Sequence, residues 1–182
     1  MHDEALDSLL GRLRRIQDDG GVAVESEGGR EWYEVMLFPP ASGTQAESIQ
    51  RALEKRLPEP FLQFWSATNG ANLFLSESGL HGVGVASTEL MLDLEEEESE
   101  FYGPGALNGY AVFARVNGAG DFLVFDLATG QVLDGVHAEQ PGEWRSIAAS
   151  FTEWLGRLVE ADGRYYWLEA LMTPDLIEAP RV

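Results

Sequence analysis

Six carboxylates crowd one short stretch of this sequence: Asp93, Glu95, Glu96, Glu97, Glu98 and Glu100. Carboxylates at that density can coordinate a hard cation, form a solvated surface, or dock a basic partner. Calcium sites interleave Asp, Asn and Gly so that the backbone can wrap the ion, and a plain glutamate run lacks those turns. No metal is expected, and the solvated-face and docking readings both stay open. Asp121 and Asp126 sit beside glycines, where an Asp side chain accepts hydrogen bonds from nearby backbone amides, so a turn role is expected for both. His81 lies in a Gly-flanked loop and His137 at a strand end. Neither has a Cys or second His at ligand spacing, so packing or surface roles are expected. A serine nucleophile on a GxSxG turn, a GxxxxGK[ST] phosphate loop and a full dinucleotide fingerprint are all absent; Gly82-Val83-Gly84 carries no more than a fragment of the last. Carboxylate pairs for hydrolysis are uninformative in so acidic a chain. No enzyme and no cofactor are expected.

Thirty-one acids against twelve bases give a formal charge of -19. Such a chain repels phosphate backbones and anionic membranes and attracts basic partners at long range, so neither nucleic acid nor membrane is an expected partner. No Lys or Arg occurs between Leu57 and Ala114, while Glu59, Glu77 and Glu89 join the six carboxylates in that stretch. There are no cysteines, no apolar run long enough to span a bilayer, and no basic-then-apolar leader at the N-terminus, which makes the cytoplasm the expected compartment. The 182 residues suit one domain over 1–182.

The elements that must position these groups follow from periodicity. Leu6, Leu9, Leu10, Leu13 and Ile16 recur at helical spacing. Val22 and Val24, then Trp32, Val35 and Leu37 among glutamates, predict one or two strands. A second helix is expected over 45–56, burying Ile49, Leu53 and Leu57 and stopping before Pro58. A third begins at Pro58-Pro60 with Phe61, Leu62, Phe64 and Trp65 on its apolar face, and Asn69-Gly70 ends it through left-handed geometry. Short strands are expected over 72–75 and 82–86. Ser87 or Thr88 then caps a helix into the acidic segment, although four consecutive glutamates repel one another there. Segments 110–116, 122–127 and 131–136 are separated by loops too short for a parallel crossover and must form an antiparallel meander. A closing helix carries Ile147, Phe151, Trp154, Leu155 and Leu158 on one stripe with Ser146 near its start. Tyr165, Tyr166 and Trp167 are expected to cover the core, with an interface anchor as the alternative, and the tail to pack at least to Leu171.

The motif order is more specific than any single motif. Leu57-Pro58-Glu59-Pro60-Phe61-Leu62-Gln63-Phe64-Trp65 is followed by Asn69-Gly70, by Leu80-His81-Gly82, by Gly120-Asp121-Phe122, by Asp126-Leu127-Ala128-Thr129-Gly130, and by Ile147-Ala148-Ala149-Ser150-Phe151-Thr152-Glu153-Trp154-Leu155. Over about residues 45–160 this resembles the SMI1/KNR4 (SUKH) family. The resemblance implies an α+β fold, a curved, mostly antiparallel sheet with helices packed against it. Pro58, Trp65, Asn69, Gly70, Gly120, Asp121, Asp126, Gly130, Phe151 and Trp154 become its structural motif residues, and none of the motifs is catalytic. It also implies a protein-binding role. Many bacterial members are grouped with immunity proteins that bind toxin domains such as nucleases or deaminases, and fungal relatives act as regulatory scaffolds. Under the first role the six acidic-segment carboxylates are the partner-binding candidates for a basic toxin domain. An intracellular adaptor is the alternative, and a small-ligand protein or hydrolase the third. The acidic segment and the aromatic tail fall outside the shared pattern.

Overall fold

A computed structural model describes residues 2–26, 29–118 and 120–168. Eight strands pair in sequence order, every neighbour antiparallel, into a sheet that is not closed. The strands are β1 (Val22–Ser26), β2 (Gly29–Leu37), β3 (Ala71–Ser76), β4 (Val83–Val85), β5 (Tyr110–Val116), β6 (Phe122–Asp126), β7 (Val132–Gly135) and β8 (Arg145–Ala148). The helices are α1 (Glu4–Asp18), α2 (Gly43–Leu53), α3 (Glu59–Ala67), α4 (Thr88–Tyr102) and α5 (Phe151–Glu160). This is the α+β architecture expected, with the meander at its centre. Irregular register in the β2–β3, β5–β6 and β7–β8 pairs marks bulges, which bend strands and increase their twist. None of the described helices is long and apolar enough to cross a membrane.

α1, α3 and α5 pack together over one face of the sheet. Their apolar stripes meet strand residues in an aromatic cluster: Phe61 lies edge-on to Phe113, Phe125 and Phe151, and Phe113 stacks on Phe125 at 4.1 Å between centroids. Each of these fully buried rings contributes roughly 1.5–3 kcal/mol of transfer free energy. α4 lies on β5 from the opposite face and packs against α2.

Several boundaries differ from expectation for local reasons. α2 ends at Leu53 because Glu54 turns left-handed (φ 55) and the Lys55 amide bonds back to the Gln50 carbonyl. Leu57 is still buried, but from the loop beyond the helix. Ile147 belongs to β8, a strand the sequence reading missed, and Ser150 rather than Ser146 caps α5 by accepting the Glu153 amide. On β2 the buried residues are Tyr33 and Val35, while Trp32 is turned outward and Met36 is half exposed. The alternation runs one residue out of step with the expectation at Trp32. Trp167 is buried and Tyr165 and Tyr166 pack against the core, as expected of core cover. The expectation for Leu171 lies outside the described residues.

Candidate docking face on the acidic helix

α4 forms despite its glutamates because its ends and inner stripe are well held. The Ser87 side chain accepts the Leu90 amide as N-cap. Asn69 braces the same end from the α3–β3 turn. Its Oδ1 accepts the Thr88 amide at 2.8 Å, and its Nδ2 donates to Thr88 Oγ1 and Glu89 Oε2, both at 3.1 Å. Those bonds and its place at the Glu89 carboxylate, not left-handed geometry, are the role of Asn69; only Gly70 has positive φ (89), and a Cβ there would sit 2.8 Å from the Ser87 amide nitrogen.

Helical period divides the six candidate carboxylates. Met91, Leu94, Glu95 and Glu98 fall on one stripe and are buried, whereas Asp93, Glu96, Glu97 and Glu100 are exposed. Glu95 and Glu98, 6% and 1% exposed, are therefore corrected from docking candidates to internal anchors. Glu95 takes Lys55 Nζ on Oε2 at 2.5 Å and the Val112 amide on Oε1 at 2.6 Å. The second bond fills an amide at the β5 bulge, so the helix and the strand irregularity fit each other. Glu98 lies 2.9 Å from His137 Nε2 and 3.4 Å from the Arg115 guanidinium, which also pairs with Glu97. The other nitrogen of His137, Nδ1, faces Asp121 at 3.9 Å, and its ring is flanked by Phe101 and Phe122. Both imidazole nitrogens of the half-buried ring thus face carboxylates. The arrangement fastens α4 to the β5–β7 end of the sheet.

Burial pushes the Glu98 carboxyl above its ordinary value, against the opposing pull of His137 and Arg115. A carboxyl raised in the folded state favours folding below the unfolded value of 4.5 and loses that contribution as pH rises through its folded value. Glu98→Gln has no such charge to bury. The melting temperature of this variant is expected to gain on the parent steadily from pH 4.5 toward neutrality, measured by thermal unfolding across that range; a constant difference would show that Glu98 is fully compensated.

The outward stripe of α4 carries Leu90 and Phe101, both exposed, at opposite ends of the four exposed carboxylates. They lie eleven residues apart, about 16 Å along the helix. The face therefore offers acid between two apolar contacts, the chemistry of a protein-docking surface rather than of a metal cage. Among the described residues no group of three or more His, Cys, Asp or Glu could hold a metal ion.

Apart from Asn69, which braces this helix, and Asp121, which faces His137, the motif residues lie off α4 and build the fold around it. The Pro58 carbonyl accepts the Phe61 and Leu62 amides at the start of α3, and Trp65 Nε1 donates to the Ala86 carbonyl just before α4. Asp126 closes its turn by accepting the Ala128 amide and the Thr129 hydroxyl, with Gly130 at φ 76. Gly120 (φ 74) precedes Asp121, whose carboxylate faces His137 and takes no backbone amide among the described residues. Phe151 and Trp154 are fully buried on α5. Lys55, Arg115 and His137 were missed as partners of the buried acids. The signal for them was the i, i+3, i+4, i+7 spacing of Met91, Leu94, Glu95 and Glu98, which places two acids inside and requires cations or donors nearby.

No curated protein matches the chain. A model of the SMI1 / KNR4 family (SUKH-1) matches residues 40–157, from the segment before α2 through most of α5. With more than half of its length matched and the sheet and motif placement described above, the chain belongs to the SMI1/KNR4 family (SUKH-1).

Proposed function

We propose that this chain is a non-enzymatic protein-binding domain, and specifically a cytoplasmic immunity protein that neutralises a basic toxin domain of the nuclease or deaminase type by direct binding. The observation that carries this reading is the outer face of α4, where Asp93, Glu96, Glu97 and Glu100 project between Leu90 and Phe101 on a helix fixed from beneath by buried ion pairs. A toxin that handles nucleic acid needs a basic groove, and a rigid acidic face meets it with fast, salt-sensitive association. Family membership supports a binding role of this kind. Inhibition is steric and electrostatic, with no turnover and no cofactor.

The test is co-expression with a toxin encoded beside this chain, followed by stopped-flow association of the purified pair. Asp93→Lys/Glu96→Lys/Glu100→Lys is the informative variant; Glu97 is left in place because it holds Arg115. Association is expected to slow by roughly 10- to 1,000-fold at low salt, with a flattened salt dependence and loss of growth rescue. An unchanged rate and salt dependence would remove α4 as the docking face. Co-purification with a cellular regulator and no toxin would keep the binding role and overturn immunity.

A further inference from the structure

One row of paired residues crosses the sheet from β2 to β7: Met36, Asn72, Gly84, Arg115, Phe122 and Gly135. Cross-strand partners share a face. Arg115 reaches Glu97 and Glu98, and Phe122 packs edge-on against Tyr102, so this is the face that carries α4. Burial rises along the row. Met36 is 50% exposed, Asn72, Gly84 and Arg115 are partly exposed, and Phe122 is fully buried. α4 therefore covers the β5–β7 end and leaves β2–β4 open. Trp32, 48% exposed, and Glu34 lie on the same open face as Met36 by strand alternation.

Gly84 is the anomaly on that face. Its φ is not positive, and a Cβ there would meet nothing closer than the Asn72 side-chain oxygen at 3.7 Å, an ordinary contact. Gly135, in the same row, must be glycine because a Cβ would lie 2.4 Å from the Phe122 ring. The fold thus requires one glycine and not the other, although a glycine inside a strand weakens it. What Gly84 does provide is a lowered floor on which another backbone can approach closely.

We infer that the open β2–β4 face is the apolar anchor of the docking surface, and that its occupant is a basic amphipathic helix of the partner protein lying beside α4. This rests on the protein-binding reading above. From β2 to β5 is about 14 Å at ordinary strand spacing, and packed helices lie about 8–10 Å apart, so one helix fits between α4 and Trp32. The charge is complementary. Arg30 and Arg115 on this face already have acidic partners in Glu25 and in Glu97 and Glu98, whereas Glu34 is an exposed acid on the β2 side of the opening, between Trp32 and Met36 along the strand. Asp93 and Glu100 flank Glu97 one helical turn to either side, extending the acidic wall. Trp32 and Met36 receive the apolar stripe of the incoming helix.

The test titrates a synthetic amphipathic Leu/Lys helical peptide into the isotopically labelled full chain and follows amide resonances. Shifts are expected at the Trp32 indole, the Asn72 side-chain amide and the Gly84 backbone amide. Gly84→Val is expected to melt no lower than the parent and to bind about tenfold more weakly; Met36→Lys, at a half-exposed position, should weaken binding similarly. Shifts confined to the outer stripe of α4, parental affinity in both variants, or no binding of the peptide would each overturn the assignment. If the peptide result fails while charge reversal on α4 still slows toxin association, the binding role survives and this face is not its anchor.

Discussion

Replacing Lys55 with methionine is expected to destabilise the fold by about 3–5 kcal/mol, because it strands a buried carboxylate. The Lys55 and Glu95 side chains are 12% and 7% exposed and meet at 2.5 Å. Methionine has similar length and retains the apolar packing of the lysine stem, so the loss reports on charge rather than on a cavity. Without the ammonium, one Glu95 oxygen keeps the Val112 amide, and the other loses the Lys55 bond on a side chain only 7% exposed. Adding Glu95→Gln to Lys55→Met should recover most of the loss, since the amide oxygen can still accept from Val112 while the uncompensated charge is gone. Urea unfolding of the parent, the single and the double variant measures this directly. A single variant within about 0.5 kcal/mol of the parent would show that water reaches the pair and screens it. This pair is one of the inner supports that hold the proposed docking helix α4 in place.

That support was partly legible in the sequence. Periodicity located α1, α3 and the β5–β7 meander, because amphipathic stripes and short turn-bounded β segments leave strong local signals, whereas only the cap residues at Ser87 and Thr88 pointed to α4. The run of glutamates was legible as an acidic segment, but its division was not, since side-chain direction depends on the helix phase fixed by Ser87 and Asn69. Glu95 and Glu98 turned inward, and the cations that hold them come from positions forty residues before Glu95 and seventeen after Glu98. No local pattern records such pairings. The β8 strand was hidden for a related reason. Ile147 and Phe151 stand four apart and read as one helical stripe, until Ser150 restarts the chain as an N-cap. Trp32 was misplaced because two adjacent aromatics, Trp32 and Tyr33, lie between Glu31 and Glu34 and either could be the inward one; the strand turns Tyr33 inward. The same orientation of the strand opens the β2–β4 face, so the error in the reading and the proposed anchor share one cause.

Gly163→Ala is expected to cost about 2–5 kcal/mol through two separable effects. Gly163 has φ 86, where a Cβ is disfavoured by about 1–2 kcal/mol, and that Cβ would lie 2.3 Å from Cβ and Cγ of Phe74. Phe74 cannot yield easily: it is itself left-handed at φ 54, sits at the β2–β3 bulge, and is fully buried. Overpacking against a pinned ring adds about 1–3 kcal/mol. The Gly163 carbonyl also accepts from His81 Nε2 at 2.8 Å, and the His81 ring is stacked between Tyr33 and Tyr165 at 4.6 and 4.3 Å. Tyr165 in turn donates its hydroxyl toward the Gly82 and Asn117 carbonyls and accepts the Gly82 amide. Displacing Gly163 should therefore loosen the whole stack, visible as a change in tyrosine fluorescence that accompanies the lower melting point. Gly130→Ala is the matched control, because Gly130 has φ 76 and nothing within 4 Å of its would-be Cβ, so it carries the conformational cost alone. If Gly163→Ala costs no more than Gly130→Ala, Phe74 has room to move and the bulge is not the rigid seat that its buried left-handed backbone implies.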